Sequence, residues 1–340
     1  MVQRLAYWDN IKMLLIFLVV LGHAIAYGWW TNEPHLLGVY NCIYAFHMPL
    51  FVLISGYLSR NITCQREKDI VTLLFPYLMF QVFNVLYIRY VENGKASWNL
   101  FIPYHQNWYI LALLIWRLIT PYFKNVKYSI VICIAVLLSV VFSKYNVQNN
   151  LFALPHVFVF LPFYVIGYYA ENIFNKLEDS TLNLILSICA IVGCSAIIYY
   201  ISAYTAFGVR LSYAFKPPYN CGTYIDYIFR YVGFLFSLIM SLSVLIIMRR
   251  WVRCANSYKL FGGGGTVLIY LMHNFIVIPL WDILPKYHWT ISLLISGVIS
   301  ILICWVFSRP RVIKMFAPLL DFSALREMCS KMTKWQSKNN

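Results

Sequence analysis

Long apolar segments separated by short polar stretches recur along the whole chain of 340 residues. About twenty apolar residues cross a hydrocarbon core of roughly 30 Å as a helix. The segments are too long and too evenly apolar for barrel strands, which alternate between lipid-facing and interior residues. The pattern therefore predicts an all-α integral membrane protein, a bundle of about ten transmembrane helices with approximate limits 11–28, 36–58, 70–91, 107–123, 127–143, 151–172, 182–207, 225–248, 264–285 and 289–308.

Charge predicts the orientation of this bundle. Ten spans place both termini on one side, where eighteen Lys and Arg residues fall, against five on the other side. Basic residues favour the cytoplasm, so both termini are expected there. Residues 1–308 would form the bundle and residues 309–340 a basic cytoplasmic tail on anionic lipid. The net charge of +15 follows from this asymmetry and gives no reason to expect nucleic acid.

The first span contains two ionisable residues on one helical stripe. His23 follows Lys12 by eleven residues, which returns a helix to within about 20° of its starting azimuth and rises roughly 16 Å. Lys12 can therefore lie at the cytoplasmic interface while His23 reaches into the bilayer. Asp9 precedes Lys12 by three residues on the same face and could orient or neutralise it.

Plainer interpretations of this segment stay open. His23 could be a polar residue hydrogen-bonded between helices, and Lys12 an interfacial anchor. Arg4, the apolar residues 13–21 and the small residues Ala24 and Ala26 could also form a cleaved secretory signal. Cleavage there would remove both Lys12 and His23, so we interpret the first span as retained.

Other polar residues at membrane depth admit several roles. His47, His156 and His273 could form a haem or metal site with His23, but no acidic pair and no second histidine at helical spacing supports one. We therefore expect no metal. Arg230 could pair with Asp226 one turn earlier, whereas Arg117 has no such neighbour in sequence and is the better substrate candidate. The run Gly262–Gly265 could approach a phosphate or act as a hinge.

An ordered set of short motifs resembles the acyltransferase family 3 membrane proteins, especially their fucose 4-O-acetylase-like branch. The set covers most of the chain. It comprises Asp9-x2-Lys12-x10-His23, Phe46-His47-Met48-Pro49-Leu50-Phe51, Ser55-Gly56-Tyr57, Pro76-Tyr77-Leu78, Asn107-Trp108-Tyr109-Ile110-Leu111, Gly167-Tyr168-Tyr169 and Tyr270-Leu271-Met272-His273. The resemblance implies a ten-helix transferase that moves an acyl group, usually acetyl from acetyl-coenzyme A, onto a hydroxyl of a cell-surface sugar or glycolipid.

The chain departs from the family at one point. Many members carry Arg-x-x-Arg before the proline that opens span three, but here the stretch contains Arg66 and Lys68 ahead of Pro76. These two could supply the positive charge for the donor from a shifted position. Lys12 would hold the phosphates of coenzyme A at the inner mouth. His47 would either face the donor channel or pack between helices.

The chemistry expected at His23 is general base catalysis, and Asp9, beside Lys12, is the second candidate catalytic residue. A neutral imidazole could remove the proton from an attacking sugar hydroxyl, although an acetyl-histidine intermediate is also conceivable. Asn107 and Trp108 are candidate oxyanion donors, and Arg117 and His273 are candidate acceptor contacts.

This chemistry uses acetyl-coenzyme A, or another acyl-coenzyme A, as a co-substrate. We expect no permanently bound cofactor. We expect membrane lipids and a surface glycan or lipid-linked sugar as partners, and a multi-pass location in the plasma (inner) membrane of a bacterium. A lipid-linked glycan flippase or other transporter and a membrane glycan polymerase are the alternatives. The absence of a visible inverted repeat weakens the first, and modest outer loops weaken the second.

Overall fold

The computed structural model describes residues 2–29, 31, 33–60, 66–92, 94–142, 151–171, 180–209, 211, 224–254 and 265–326. Within these residues the secondary structure is helical, with no strand. The principal α-helices of this part are α1 (Val2–Ala24), α2 (Pro34–Tyr44), α3 (His47–Ser59), α4 (Arg66–Tyr90), α5 (Trp108–Phe123), α6 (Tyr128–Val141), α7 (Leu154–Tyr169), α8 (Thr181–Tyr204), α9 (Tyr224–Cys254), α10 (Thr266–Val277), α11 (Trp289–Phe307) and α12 (Pro310–Leu320).

Helical segments long and apolar enough to cross a membrane number eight in the described part of the chain. They are Tyr7–Ala24, Pro34–Ser59, Ile70–Tyr90, Leu151–Tyr169, Thr181–Tyr204, Asp226–Trp251, Thr266–Lys286 and Trp289–Phe307. The other two predicted spans correspond to α5 and α6, which have only 16 and 14 residues. At 1.5 Å per residue, α6 covers about 21 Å, less than a full hydrocarbon core. The chain is thus a helical membrane protein, and the count of ten and the cytoplasmic termini stay predictions.

The predicted second span, 36–58, is a broken helix. α2 ends at Tyr44 and α3 begins at His47, with Phe46 leaving helical geometry at φ −135°. The cause is local, because Pro49 lacks an N–H and its ring would clash with the Ala45 carbonyl in a continuous helix. The freed Ala45 carbonyl accepts a hydrogen bond from the Ser237 hydroxyl of α9. The break places His47 at the start of a helix in the protein interior.

α3 and α7 pack with their backbones in direct contact. A Cβ added to Gly56 would collide with the carbonyl of Tyr164, and one added to Gly167 would collide with the carbonyl of Leu53. Small residues allow this close approach of membrane helices, which is driven by packing. The motifs Ser55-Gly56-Tyr57 and Gly167-Tyr168-Tyr169 thus contain the two halves of one helix contact.

Replacing Gly167 by Ala is expected to destabilise the protein by about 1–3 kcal/mol, because the new methyl group forces two backbones apart. The measurement is thermal unfolding of the detergent-purified protein. Gly193→Ala is the matched control, since a Cβ at Gly193 would have nothing within 4 Å of it. A Gly167→Ala protein as stable as the control would contradict the close contact.

α1 lies at the centre of the described bundle, against α3, α9, α10 and α11. α10 is positioned by Gly265, the residue before its first turn, which has a φ of 81°. A side chain there would meet the Phe307 carbonyl at the end of α11. Of the run Gly262–Gly265, residues 262–264 lie outside the described residues, and Gly265 fixes where α10 begins.

The first part of the predicted tail folds onto the bundle as α12. Its residues Ile313 and Phe316 are half-buried against the core, whereas Arg311 and Lys314 are exposed. Apolar and basic side chains on separate faces are typical of a helix at the membrane interface. α12 packs against α4, α10 and α11, so it covers the end of the bundle next to these helices.

Candidate functional site

His23 occupies the last turn of α1, and its backbone carbonyl is held from outside the helix. The carbonyls of a last turn have no partner within the helix. The Trp281 indole N–H donates to the His23 carbonyl oxygen at 2.9 Å, which joins the end of α1 to the 3-10 helix Ile278–Asp282 that follows α10. The backbone that carries the His23 imidazole is therefore fixed by a residue 258 positions later in the sequence.

The imidazole of His273 in α10 contacts the imidazole of His23, with 5.0 Å between the ring centroids. The His273 side chain is fully buried. Nδ1 of His273 lies 3.1 Å from the Ile269 carbonyl oxygen, which can only accept, so Nδ1 carries the proton and donates. In the neutral ring Nε2 then holds a lone pair, and this buried atom has no hydrogen-bond partner. His273 thus has a nitrogen with an open lone pair in a ring that contacts His23.

Two further rings complete a group that we call the histidine cluster: His23, Tyr44, His47 and His273. The centroid of Tyr44 lies 6.4 Å from that of His23 and 4.7 Å from that of His47. Nδ1 of His47 donates to the Ile43 carbonyl at 2.8 Å across the break between α2 and α3. Four helices, α1, α2, α3 and α10, thus each contribute one ring.

Lys12 and Asp9 form an ion pair near the other end of α1, with 2.8 Å between Nζ and Oδ1. Both side chains are about one-quarter to one-third exposed, so water reaches them. Lys12 and His23 belong to one unbroken helix, as the eleven-residue spacing requires. The other predicted donor residues, Arg66 and Lys68, begin α4, but their side chains lie outside the described part of the structure.

Five buried amide side chains form a second group, the amide cluster: Gln81, Asn84, Gln106, Asn107 and Asn274. Gln106 donates to the Leu271 carbonyl at 2.7 Å and accepts from the Asn274 amide at 2.6 Å. The Asn107 amide donates to the Gln81 side-chain oxygen at 3.1 Å. The cluster therefore connects α4, α10 and the turn that precedes α5.

Three oxygens of the amide cluster lack a partner. They are Oδ1 of Asn84, Asn107 and Asn274, all buried. A buried acceptor without a donor costs free energy, roughly 1–3 kcal/mol. Asn107 is the predicted oxyanion donor, but its side-chain N–H already donates to Gln81. Its Oδ1 has no partner, so Asn107 could accept a hydrogen bond from a hydroxyl group.

Trp108 and Arg230 contact residues outside the histidine cluster. Trp108 stacks on His156 at 4.5 Å and on Phe160 at 5.4 Å, a packing role for both the indole and His156. Arg117 is half-buried on α5. Arg230 donates to the Ser139 carbonyl and hydroxyl at 3.0 and 2.9 Å, which ties α9 to α6. Roles for Trp108 and Arg117 in acceptor binding stay predictions.

Tyr44, Gln106 and Asn274 were not predicted from the sequence as site residues. A signal was present for Asn274, which follows His273 in an otherwise apolar span, where polar side chains lean towards function. Gln106 directly precedes the predicted Asn107. Tyr44 gave no such signal among the 27 tyrosines of the chain. Within the described residues, no three His, Cys, Asp or Glu side chains are grouped as metal ligands, and the expectation of no metal stays a prediction.

Comparison with known proteins gives the family. Residues 5–309 match the family 3 acyltransferase model, described as an acyltransferase domain. A nodulation protein, NolL, from Sinorhizobium fredii is 41% identical over 81 residues, 22% of each chain. NolL from Mesorhizobium japonicum is 46% identical over 56 residues, 16% of this chain and 15% of its own. No solved structure matches. The chain spans about a fifth of these curated relatives, but the family match covers nearly its whole length, and the chain belongs to acyltransferase family 3.

Proposed function

We propose that the protein is a membrane-embedded O-acyltransferase that moves acetyl from acetyl-coenzyme A onto a hydroxyl of a cell-surface polysaccharide or glycolipid. The observation that carries the proposal is the pairing of His23 with His273 inside a bundle of the acyltransferase family. The location that goes with it is the plasma membrane of a bacterium.

The proposed reaction breaks the thioester and forms an ester. The acceptor hydroxyl oxygen attacks the acetyl carbonyl carbon while His23 takes the hydroxyl proton, and the tetrahedral intermediate then expels the coenzyme A thiolate. The protonated His23 returns its proton to that thiolate, which leaves free coenzyme A and an acetylated sugar. General base catalysis of this kind contributes about 10²–10⁴-fold in rate.

His273 supports this step through its open Nε2. A proton arriving on the half-buried His23 creates a positive charge, which an adjacent lone pair stabilises. The Trp281 bond to the His23 carbonyl limits movement of α1 at this point. His23 is therefore proposed as the base and His273 as its positioning residue.

The Asp9–Lys12 pair is proposed as the contact for the phosphates of coenzyme A. The distance of about 16 Å along α1 between Lys12 and His23 leaves room for the extended pantetheine arm. Partial exposure of Lys12 lets it exchange Asp9 for a phosphate without desolvating either group.

Transfer is tested with the purified protein, radiolabelled acetyl-coenzyme A and envelope glycan or glycolipid. Label on the glycan supports an acyltransferase. Movement of the glycan across proteoliposomes without label would instead support a flippase, and chain extension without label a polymerase.

Lys12→Ala is expected to raise the KM for acetyl-coenzyme A by about tenfold, with kcat nearly unchanged, because a charged hydrogen bond is worth about 1.5–3 kcal/mol in binding. Initial rates over a range of donor concentrations measure both. Asp9→Asn is the control, since it keeps the lysine and removes its partner. Full activity of Lys12→Ala at low donor concentration would contradict the phosphate role.

A further inference from the structure

Gln106 contacts α10 at three points around His273. Its side-chain N–H donates to the Leu271 carbonyl oxygen at 2.7 Å, and its side-chain oxygen accepts from the Asn274 amide at 2.6 Å. The backbone carbonyl of Gln106 accepts from the Tyr270 hydroxyl. Two of these partners precede His273 in the sequence, and the third follows it directly. Gln106 therefore binds the segment of α10 that carries the His273 imidazole.

The Gln106 side chain is buried, with 1% of its surface exposed. A buried amide costs free energy unless it is hydrogen-bonded. The amide of Gln106 is bonded through both its nitrogen and its oxygen, and both bonds lead to α10. Buried polar contacts of this kind make the elements that they join rigid. We therefore expect Gln106 to act through α10 and not by touching a substrate.

The turn that carries Gln106 is fixed to α4. The backbone N–H of Tyr104 and the side-chain N–H of Asn107 both donate to the side-chain oxygen of Gln81 in α4, at 3.2 and 3.1 Å. His105, directly before Gln106, has a φ of 48° in the left-handed region. A residue with a side chain keeps such a conformation only where the surrounding contacts enforce it. The turn thus links α4, through Gln106, to α10.

The three contacts of Gln106 oppose rotation of α10 about its own axis. Tyr270 and Asn274 are four residues apart and share one face of the helix, and His273 lies about 60° around the helix from Tyr270. A side chain reaches roughly 5–6 Å from the helix axis, so a rotation of about 10° moves its tip by roughly 1 Å. Loss of the contacts would therefore change how the His273 ring meets that of His23.

We propose that Gln106 is a positioning residue of the transfer reaction, which sets the orientation of His273 towards His23 by holding α10 against the turn fixed to α4. This rests on the proposed function and deepens it. Misplacement of a group in an active site by about 1 Å can lower the rate about 10²-fold. The amide cluster thereby serves catalysis without contact to the substrate.

Gln106→Met tests the positioning role, because Met has an unbranched side chain of similar length and lacks the amide that forms both side-chain hydrogen bonds. We expect kcat per folded molecule to fall about tenfold to 10²-fold. The KM for acetyl-coenzyme A should stay unchanged, since Lys12, its proposed contact, is remote from α10 along α1. An unchanged kcat, or a KM that rises as kcat falls, would overturn the positioning role.

A double variant separates positioning from a general structural effect. In a protein that already carries His273→Leu, Gln106→Met should change kcat by less than about twofold, because Gln106 acts through His273. A structural loss would lower kcat by the same factor with and without His273. That equality in the two backgrounds would overturn the proposal.

Tyr270→Phe is a milder variant if Gln106→Met does not fold. It removes only the hydroxyl that donates to the Gln106 carbonyl, and kcat should fall about fivefold. Tyr169→Phe is the matched control, because the Tyr169 hydroxyl donates to the Phe123 carbonyl at 2.7 Å, between α7 and α5. Its kcat should stay at the wild-type value. Equal kcat values of the two variants would contradict the role of Gln106.

Nuclear magnetic resonance of protein with ¹⁵N-labelled histidine in nanodiscs reports on His273 without any turnover. His273→Leu identifies the imidazole signals of His273 by their loss. Gln106→Met should shift these signals, because the ring changes its orientation towards His23 and the Ile269 carbonyl. Tyr169→Phe should leave them in place. Unshifted His273 signals in Gln106→Met would overturn the proposal.

The positioning role and the reaction itself fail separately. Shifted His273 signals in a protein that transfers no acetyl group would support the hold of Gln106 on His273 and contradict the proposed reaction. Acetyl transfer that Gln106→Met leaves at the wild-type rate would support the reaction and overturn the positioning role.

Discussion

His23→Ala is expected to lower acetyl transfer by about 10²–10⁴-fold, the usual contribution of a general base. The fold should persist, because the Trp281 indole binds the backbone carbonyl of this residue, a contact that an alanine variant keeps. Single-turnover transfer from radiolabelled acetyl-coenzyme A measures the first effect, and thermal unfolding of the same preparation measures the second.

His156→Ala provides a matched control for the His23 variant. His156 is also an intramembrane histidine, but it stacks on Trp108 of α5. Its loss should reduce stability and leave the rate per folded molecule unchanged. If His23→Ala lost as much stability as activity, the structural interpretation of His23 as an interhelical contact would be correct instead.

His273→Leu is expected to lower kcat by about 10²-fold while the KM for acetyl-coenzyme A stays unchanged. The reason is the loss of Nε2, the open lone pair beside His23. Gln at this position extends a side-chain oxygen about as far as Nε2, so His273→Gln should recover a large part of the rate. The measurement is the separate determination of kcat and KM for both variants.

Recovery by Gln is the result that a purely structural role would not give. Both variants remove the imidazole and keep a branched side chain in α10, but only Gln accepts a hydrogen bond. Equal activities of His273→Leu and His273→Gln, at equal thermal stability, would contradict an acceptor role for Nε2.

Helix positions could be predicted from the sequence wherever apolar length alone decides them. Eight described segments meet that criterion. The break between α2 and α3 was not predicted, although Pro49 stands in the sequence. An apolar profile does not show that the Ser237 hydroxyl of another helix donates a hydrogen bond to the freed Ala45 carbonyl. α5 and α6 have only 16 and 14 residues, which is shorter than a usual span. Apolar length alone therefore does not show whether these two helices cross the membrane.

The same distinction holds for the candidate site. The Asp9–Lys12 pair and the placement of His23 follow from spacing along a single helix. The approach of His273 to His23 joins residues 250 positions apart and depends on how α10 packs against α1. For Asn107, residue type was predicted but side-chain direction was not, since its N–H turns towards Gln81 only in the folded protein.

The double glycine contact has a consequence for movement. With Gly56 and Gly167 each pressed on a carbonyl of the opposite helix, α3 and α7 cannot slide along one another and must travel as a unit. The chain of α2 continues into this unit through Ala45 and Phe46, where the helix is broken, so any movement of α2 relative to α3 would bend the chain beside His47. If substrate reached the histidine cluster by displacement of α2, the chain would bend at Ala45, and the hydrogen bond from the Ser237 hydroxyl to the Ala45 carbonyl would oppose that bending.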